Sequence, residues 1–241
     1  LAGKFYTVVL PAPDVGLGHG YATITVDAKG TAKAVGMLAD GMKFTTTTLL
    51  TQDGNQNWLL SIHAPLYSGA GGMINGEAII SQTPPLDTPA VTGNMGWLRP
   101  SNARAKAYQI GFLKEMAIMG EQYSFAKTIS VLSGTGASAG FTQIISTTGG
   151  TQISQGGSWP SSNKPFLNSP VTPGLKLSFS GKTGVFKGKV PVVVNGKPIG
   201  MPYQGVILSR PVVLPGASSP VRGGGFFAKD ATFGQIEILV P

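Results

Sequence analysis

The chain contains no cysteine, which removes disulfides, thiolate metal sites and cysteine nucleophiles together. It has only two histidines, His19 and His63, and charged residues fill 12% of its 241 positions, about half the share usual for a soluble domain. Its apolar runs are strand-sized, and none approaches the roughly 20 residues of a membrane-spanning helix. No acid occurs between Gln122 and Lys229. Residues 1–10 lack the basic start, long apolar stretch and small-residue cleavage site of a secretion signal. They read as a strand of a mature protein or of a piece of one. Thiol avoidance suits secreted bacterial proteins.

Glycine and proline are abundant instead, at 35 and 18 residues. They cost about 1 and 3 kcal/mol each in a helix interior, which excludes a long-helix protein. With 41% hydrophobic residues the chain can bury surface, so disorder is excluded as well. An all-β protein with many turns remains.

The pattern along the chain agrees. In Tyr21 to Asp27, Ala22, Ile24 and Val26 face one way while Tyr21, Thr23 and Thr25 face the other. Turns follow at Asp27-Ala-Lys-Gly30, Asp40-Gly41 and Asp53-Gly54, where the aspartates bond their own backbone. Short strands spaced about 8–12 residues apart are written like a sandwich or barrel. Glycines inside strands mark bulges or barrel corners and favour closure. The expectation is an antiparallel meander forming a closed or nearly closed β-barrel, with a β-sandwich as the alternative. Helix is tempting only over Ser101–Tyr123, and there at most a short one.

A weak internal echo links Ile24–Gly41 with Leu177–Gly196: strand, glycine turn, glycine-bearing strand, then an Asp-Gly or Asn-Gly hairpin. It suggests one barrel-like domain over 1–241 made of two related halves, 1–132 and 169–241. A Gly/Ser/Thr/Pro-rich connection, 133–168, joins them and carries one strand at Phe141–Ser146.

Charge is uneven. Residues 1–121 hold eight acids and eight bases, and the acid-free stretch after them holds ten bases; the whole chain carries +8. Such a segment attracts polyanions, although lysine also serves on edge strands to block sheet-to-sheet pairing. Lys187 and Lys189 share a face by the strand period, and Lys176 joins them if Leu175–Ser180 pairs with Val185–Val190. Like charges that close make sense with anions nearby. An acidic polysaccharide or lipopolysaccharide is the expected partner of Lys176, Lys187 and Lys189, with no physiological role for nucleic acid.

Four motifs imitate chemistry. Gly136-Ala-Ser138-Ala-Gly140 matches the G-x-S-x-G nucleophile elbow, but that elbow needs a later histidine, and both histidines lie upstream. Gly134-Thr-Gly136 with Gly140 imitates a dinucleotide loop, yet the spacing is off and no acid lies about 20 residues on. Ser180-Gly-Lys-Thr183 imitates a phosphate loop, but Lys176 stands where its first glycine belongs. Among the acids, Glu77, Asp87, Glu115 and Glu121 could supply a glycosidase pair, but they do not cluster in sequence. No catalytic residue, metal ligand or cofactor is assigned. Trp159, between Ser158 and Pro160, is the one aromatic placed to stack on a sugar or anchor a partner; the other reading makes it a plug over a barrel end.

The runs Gly20–Gly30, Gly36-Met-Leu-Ala-Asp-Gly41, Pro65-Leu-Tyr67 with Gly69, and Gly96-Trp97 resemble a known group. So do Tyr108 with Gly111-Phe112, Thr183–Gly188, Gly205–Leu208 and Gly224-Gly-Phe-Phe227. Together they are similar to the β-barrel-like region of large secreted or surface proteins of Verrucomicrobia and related bacteria, often found beside immunoglobulin-like repeats. The resemblance spans nearly the whole chain and brings no catalytic residues with it. It implies an extracellular module of a longer polypeptide, acting in structure, adhesion or assembly, with other domains or copies of the same protein as partners. A carbohydrate-binding module is the alternative; an outer-membrane barrel and a polysaccharide-degrading enzyme are the remaining ones. The first of these two needs strands of about 9–11 residues with a lipid-facing band.

Overall fold

The computed structural model describes residues 1–11, 17–85, 87–102, 104, 108–147, 150, 152–169, 173–194, 197–215, 219–229 and 232–241, and the side chains of all these except 194, 197, 198 and 229. They form strands and turns with no helix. The first nine strands are β1 (Phe5–Leu10), β2 (Gly20–Val26), β3 (Thr31–Met37), β4 (Lys43–Leu49), β5 (Thr51–Gln52), β6 (Trp58–Leu66), β7 (Gly72–Ile80), β8 (Val91–Arg99) and β9 (Phe112–Gln122). The other eight are β10 (Ala139–Thr147), β11 (Gln152–Trp159), β12 (Phe166–Leu167), β13 (Lys176–Ser180), β14 (Val185–Val194), β15 (Lys197–Val212), β16 (Val221–Lys229) and β17 (Thr232–Leu239).

Two antiparallel sheets result. One runs β4-β3-β2-β1-β9-β8-β7-β6-β5 and the other β12-β11-β10-β17-β16-β15-β14-β13. Both use the same device: the first strand pairs with the last, Val8 opposite Gly120 in one and Ile145 opposite Ile236 in the other. Each sheet then curls until its outer strands approach, β4 towards β6 and β12 towards β13, without ladder pairing among the described residues. Each is thus a nearly closed barrel.

The expected all-β, barrel-like class is what the structure shows, with two barrels rather than one. Residues 133–168 hold three strands, β10 to β12, and belong to the second barrel. Of the two glycines that make Gln152–Trp159 look like a loop, Gly157 is there for packing: a Cβ on it would meet the Phe141 ring at 2.4 Å. The tempting helix is strand β9, whose Met116 and Ile118 are buried while Glu115 and Ala117 are exposed. Ala103, Ala105 and Ala107 lie outside the described residues. The echoing hairpins, β2–β3 and β13–β14, occupy different places in their sheets, so the echo reflects hairpin chemistry and not equivalent positions.

The alternation read in sequence places the core. In β3, Ala32 and Ala34 point inward and Lys33 and Val35 outward. The first barrel's interior is filled by side chains such as Val8, Ile24, Ile62 and Met95, which leave a void of about 10 Å³, around the least that holds one water. The 16-residue β15 joins the barrels. Its Val206 and Leu208 belong to the first barrel's hydrophobic cluster, whereas its Met201, Tyr203 and Ile207 belong to the second's.

Candidate functional site

The turn aspartates are structural. Asp27 Oδ1 accepts from the backbone N–H groups of Lys29 and Thr31 at 2.8 and 2.9 Å, and Asp53 does the same for Asn55 and Asn57. Bonds from the Thr31 and Lys29 backbone hold the Asp27 carboxyl below its ordinary range; for Asp53 the Asn57 side chain is the main cause. Asp40 also starts a turn, through a 3.0 Å bond from Met42 N–H, but its other oxygen enters a buried cluster. Tyr67 Oη donates to Asp40 Oδ2 at 2.6 Å, Arg99 Nε donates to the same oxygen at 3.0 Å, and Trp97 Nε1 donates to Tyr67 Oη at 2.9 Å.

The Arg99 guanidinium lies against the Tyr67 and Tyr108 rings, 5.5 and 5.6 Å from their centroids, and also donates to the Tyr108 carbonyl. Burial, then the Asp40 carboxylate, push the Tyr67 hydroxyl well above its usual range. Most first-barrel motifs of the family resemblance therefore meet at one barrel end. Arg99, which ties them together, carries no sequence signal; it follows Gly96-Trp97 as an ordinary base.

Other polar side chains join the barrels. Glu121 is 3% exposed and takes a bidentate grip from Arg210, at 2.9 and 3.1 Å. Burial raises its carboxyl, against the hydrogen bonds and charge of Arg210. Buried His19 reaches Glu237 across the barrels at 3.4 Å. These are the groups that acid–base chemistry draws on, and the fold uses them as ties. Of the other acids, Glu77 and Glu115 sit exposed on the first barrel's outer face, and Ser138 is exposed just ahead of β10. His63 is on the exposed face of β6, remote in the fold from that serine's strand.

Trp159 is corrected by the structure. It is fully buried, with Phe141 and Phe179 edge-on at 5.7 and 4.8 Å, so it has no face to offer a ligand. Its Nε1 donates to Asn163 Oδ1 at 3.1 Å, and Ser130 Oγ donates to its carbonyl at 2.9 Å. The segment between β9 and β10 folds across it, so this tryptophan plugs the second barrel, as indole burial with a satisfied N–H allows.

The lysines meet as the pairing argument expects. Lys176 stands directly opposite Lys189, and Lys187 lies between Ser178 and Gln204 in register. All three are exposed on one outer face; the Lys197 side chain lies outside the described ones. Directly opposite Cβ atoms sit about 5 Å apart, so the charges repel in the absence of an anion. The lysine row ends at a cleft of about 680 Å³ between the barrels. Lys43, Thr23 and Thr45 line one wall of it; Lys187, Ser178 and Thr183 line the other. A second cleft, about 850 Å³, opens on the Glu121–Arg210 side beside Asp87, Met119 and Val213. Lys43 was not legible as a site residue, because only the packing of the barrels brings it near Lys187.

Among the described residues, no group of three or more His, Asp or Glu is placed to hold a metal ion. No helix among the described residues is long and apolar enough to cross a membrane. The chain matches no protein-family model and no curated protein.

Proposed function

We propose that the chain is a non-enzymatic structural or adhesion module of a bacterial extracellular or cell-surface protein, joined to other domains or to copies of itself. One observation carries this reading: the Asp40–Arg99 and Glu121–Arg210 ion pairs and the His19–Glu237 contact each help to plug a barrel or to fasten the two together. Buried charges paired this way fix geometry more than they add stability. The motif resemblance to verrucomicrobial surface proteins supports the extracellular setting.

A second reading, binding of acidic polysaccharide, is favoured by the lysine row of β13 and β14. Exposed pairs of this kind are screened over about 8 Å at physiological ionic strength. Beads coated with the protein should therefore hold to a polyuronate surface at low salt and release as salt rises. Lys187→Gln with Lys189→Gln should weaken the hold. Attachment no better than to a neutral glucan surface overturns acidic-polymer adhesion.

A further inference from the structure

We infer that the cleft between the two barrels is a binding groove for a uronic-acid-bearing polysaccharide segment, with Lys43 and Lys187 as its paired cationic contacts. The inference rests on the acidic-polysaccharide reading and names its site.

The argument begins with charge. Two lysines, one from each barrel, line the cleft, and among the described residues no acid lines it with them. The row of Lys187, Lys189 and Lys176 then carries positive charge away from the cleft along the outer face of the second barrel. A short anion would need only the cleft; a row leading out of it suits a polymer with charges at intervals.

The remaining lining fits a sugar. Thr23, Thr45, Ser178 and Thr183 bring hydroxyl oxygens from both walls that can accept hydrogen bonds from a sugar, while the Thr23, Ser178 and Thr183 hydrogens already engage the Val35 carbonyl, the Lys187 carbonyl and Ser180 Oγ. Val35, 42% exposed, offers an apolar patch beside them. Single-stranded nucleic acid is a poorer fit, because it is held by exposed aromatic platforms; the Tyr21 and Phe44 rings here are buried, and the half-buried Phe179 ring is packed edge-on with Trp159. The volume, about 680 Å³, lies within the range of about 300–1,000 Å³ usual for ligand clefts.

The groove is also held in shape before any ligand arrives. Tyr21 Oη, from the first barrel, donates to Gln204 Oε1 of the second at 3.1 Å across the floor, and the Gln204 amide nitrogen approaches the Met37 sulfur at 2.7 Å. Preformed walls spare the ordering cost that weakens flexible sites.

The test is titration of a fluorescent oligogalacturonate at low salt into the intact protein and three variants. Lys43→Gln with Lys187→Gln should weaken binding about fivefold to tenfold, as loss of two exposed ionic contacts allows. Lys29→Gln with Lys127→Gln removes the same charge from exposed positions outside the cleft, and should weaken it less than about twofold. Thr45→Trp keeps the charge and fills the groove, so it should weaken binding as the first pair does. If the intact protein binds no acidic glycan, the acidic-polysaccharide reading itself fails. If it binds but both lysine pairs lose equally, the cleft is overturned and only a diffuse field remains. Equal sensitivity of a DNA oligonucleotide to the same variants overturns the saccharide assignment.

Discussion

A methyl group added at Gly205 would meet the Gly224 carbonyl oxygen at 2.2 Å and the Phe186 ring at 2.5 Å. Phe186 is the residue directly opposite on the neighbouring strand. The same arrangement recurs at Gly36 under Phe44, Gly157 under Phe141 and Gly234 under Phe227, each pair in register. A ring laid flat over a strand glycine covers backbone that lacks a side chain of its own. Gly205→Ala should therefore cost about 2–4 kcal/mol, in the range of overpacking against backbone. Gly140→Ala, with open space around its Cβ, should be neutral or stabilising by about 0.5 kcal/mol. Urea denaturation of both variants checks this, and equal effects would refute it. The strand glycines were legible in sequence as departures from ordinary strand. Their ring partners were not, because each partner is chosen by register.

Strand β15 changes register against β16 between Ile207 and Val212, an irregularity of the bulge kind. Bulges turn side chains in new directions, and this one carries Ser209 and Arg210 onto the first barrel. Ser209 Oγ donates to the Gln122 carbonyl at 2.7 Å, Arg210 grips Glu121, and Arg222 Nε braces the bulge by donating to the Leu208 carbonyl at 3.0 Å. The Glu121 carboxyl, raised by burial, binds protons more tightly folded than unfolded. Stability from this group is then greatest below the ordinary glutamate value, about pH 4.3, and falls as pH rises through the raised value. Asp27 and Asp53 act oppositely and lower, losing stability as pH falls through their depressed values. Glu121→Gln should flatten the decline in unfolding free energy above about pH 4.3; identical slopes in chemical denaturation would show that Glu121 does not set it. The bulge was invisible in sequence, where the strand over Ile199–Leu208 stops short of Ser209 and Arg210. The turns around Asp27, Asp40 and Asp53 were visible, since their chemistry is local.

The first barrel's hydrophobic cluster runs on into the second barrel. Val206, Leu208, Val212, Leu214 and Val221 from the second pack within the cluster built by the first. Thr7 Oγ1 donates to the Ile207 carbonyl at 2.7 Å, and Tyr123 Oη donates to that of Gly181 at 2.6 Å. The protein should unfold as one cooperative unit. Hydrogen exchange in β6–β7 and in β14–β15 should report the same opening free energy, and Leu208→Ala should lower both. Protection that falls in the second barrel alone would separate them. Sequence made the all-β class and near-closure readable, since alternation and turn residues are short-range signals. The count of barrels was not readable, because it depends on which distant strands pair, and Trp159 was misplaced because the segment covering it lies some thirty residues earlier in the chain.

The pairing that shuts each barrel also decides how the molecule bears tension. The chain enters β1 and leaves β9 at the same end, with Tyr6 opposite Gln122, and it enters β10 and leaves β17 the same way, with Thr142 opposite Leu239. Pulling on those ends separates the two strands crosswise, so the load falls on one rung at a time and not on the whole ladder. At the first barrel's mouth, the rung that meets the pull is clasped by Glu121–Arg210 and Gln122–Ser209 to a strand of the other barrel. The ties between the barrels are thus the latch that must yield before the first barrel can peel. Under tension, resistance is set by that latch, and once it opens the chain pays out strand by strand as a compliant element.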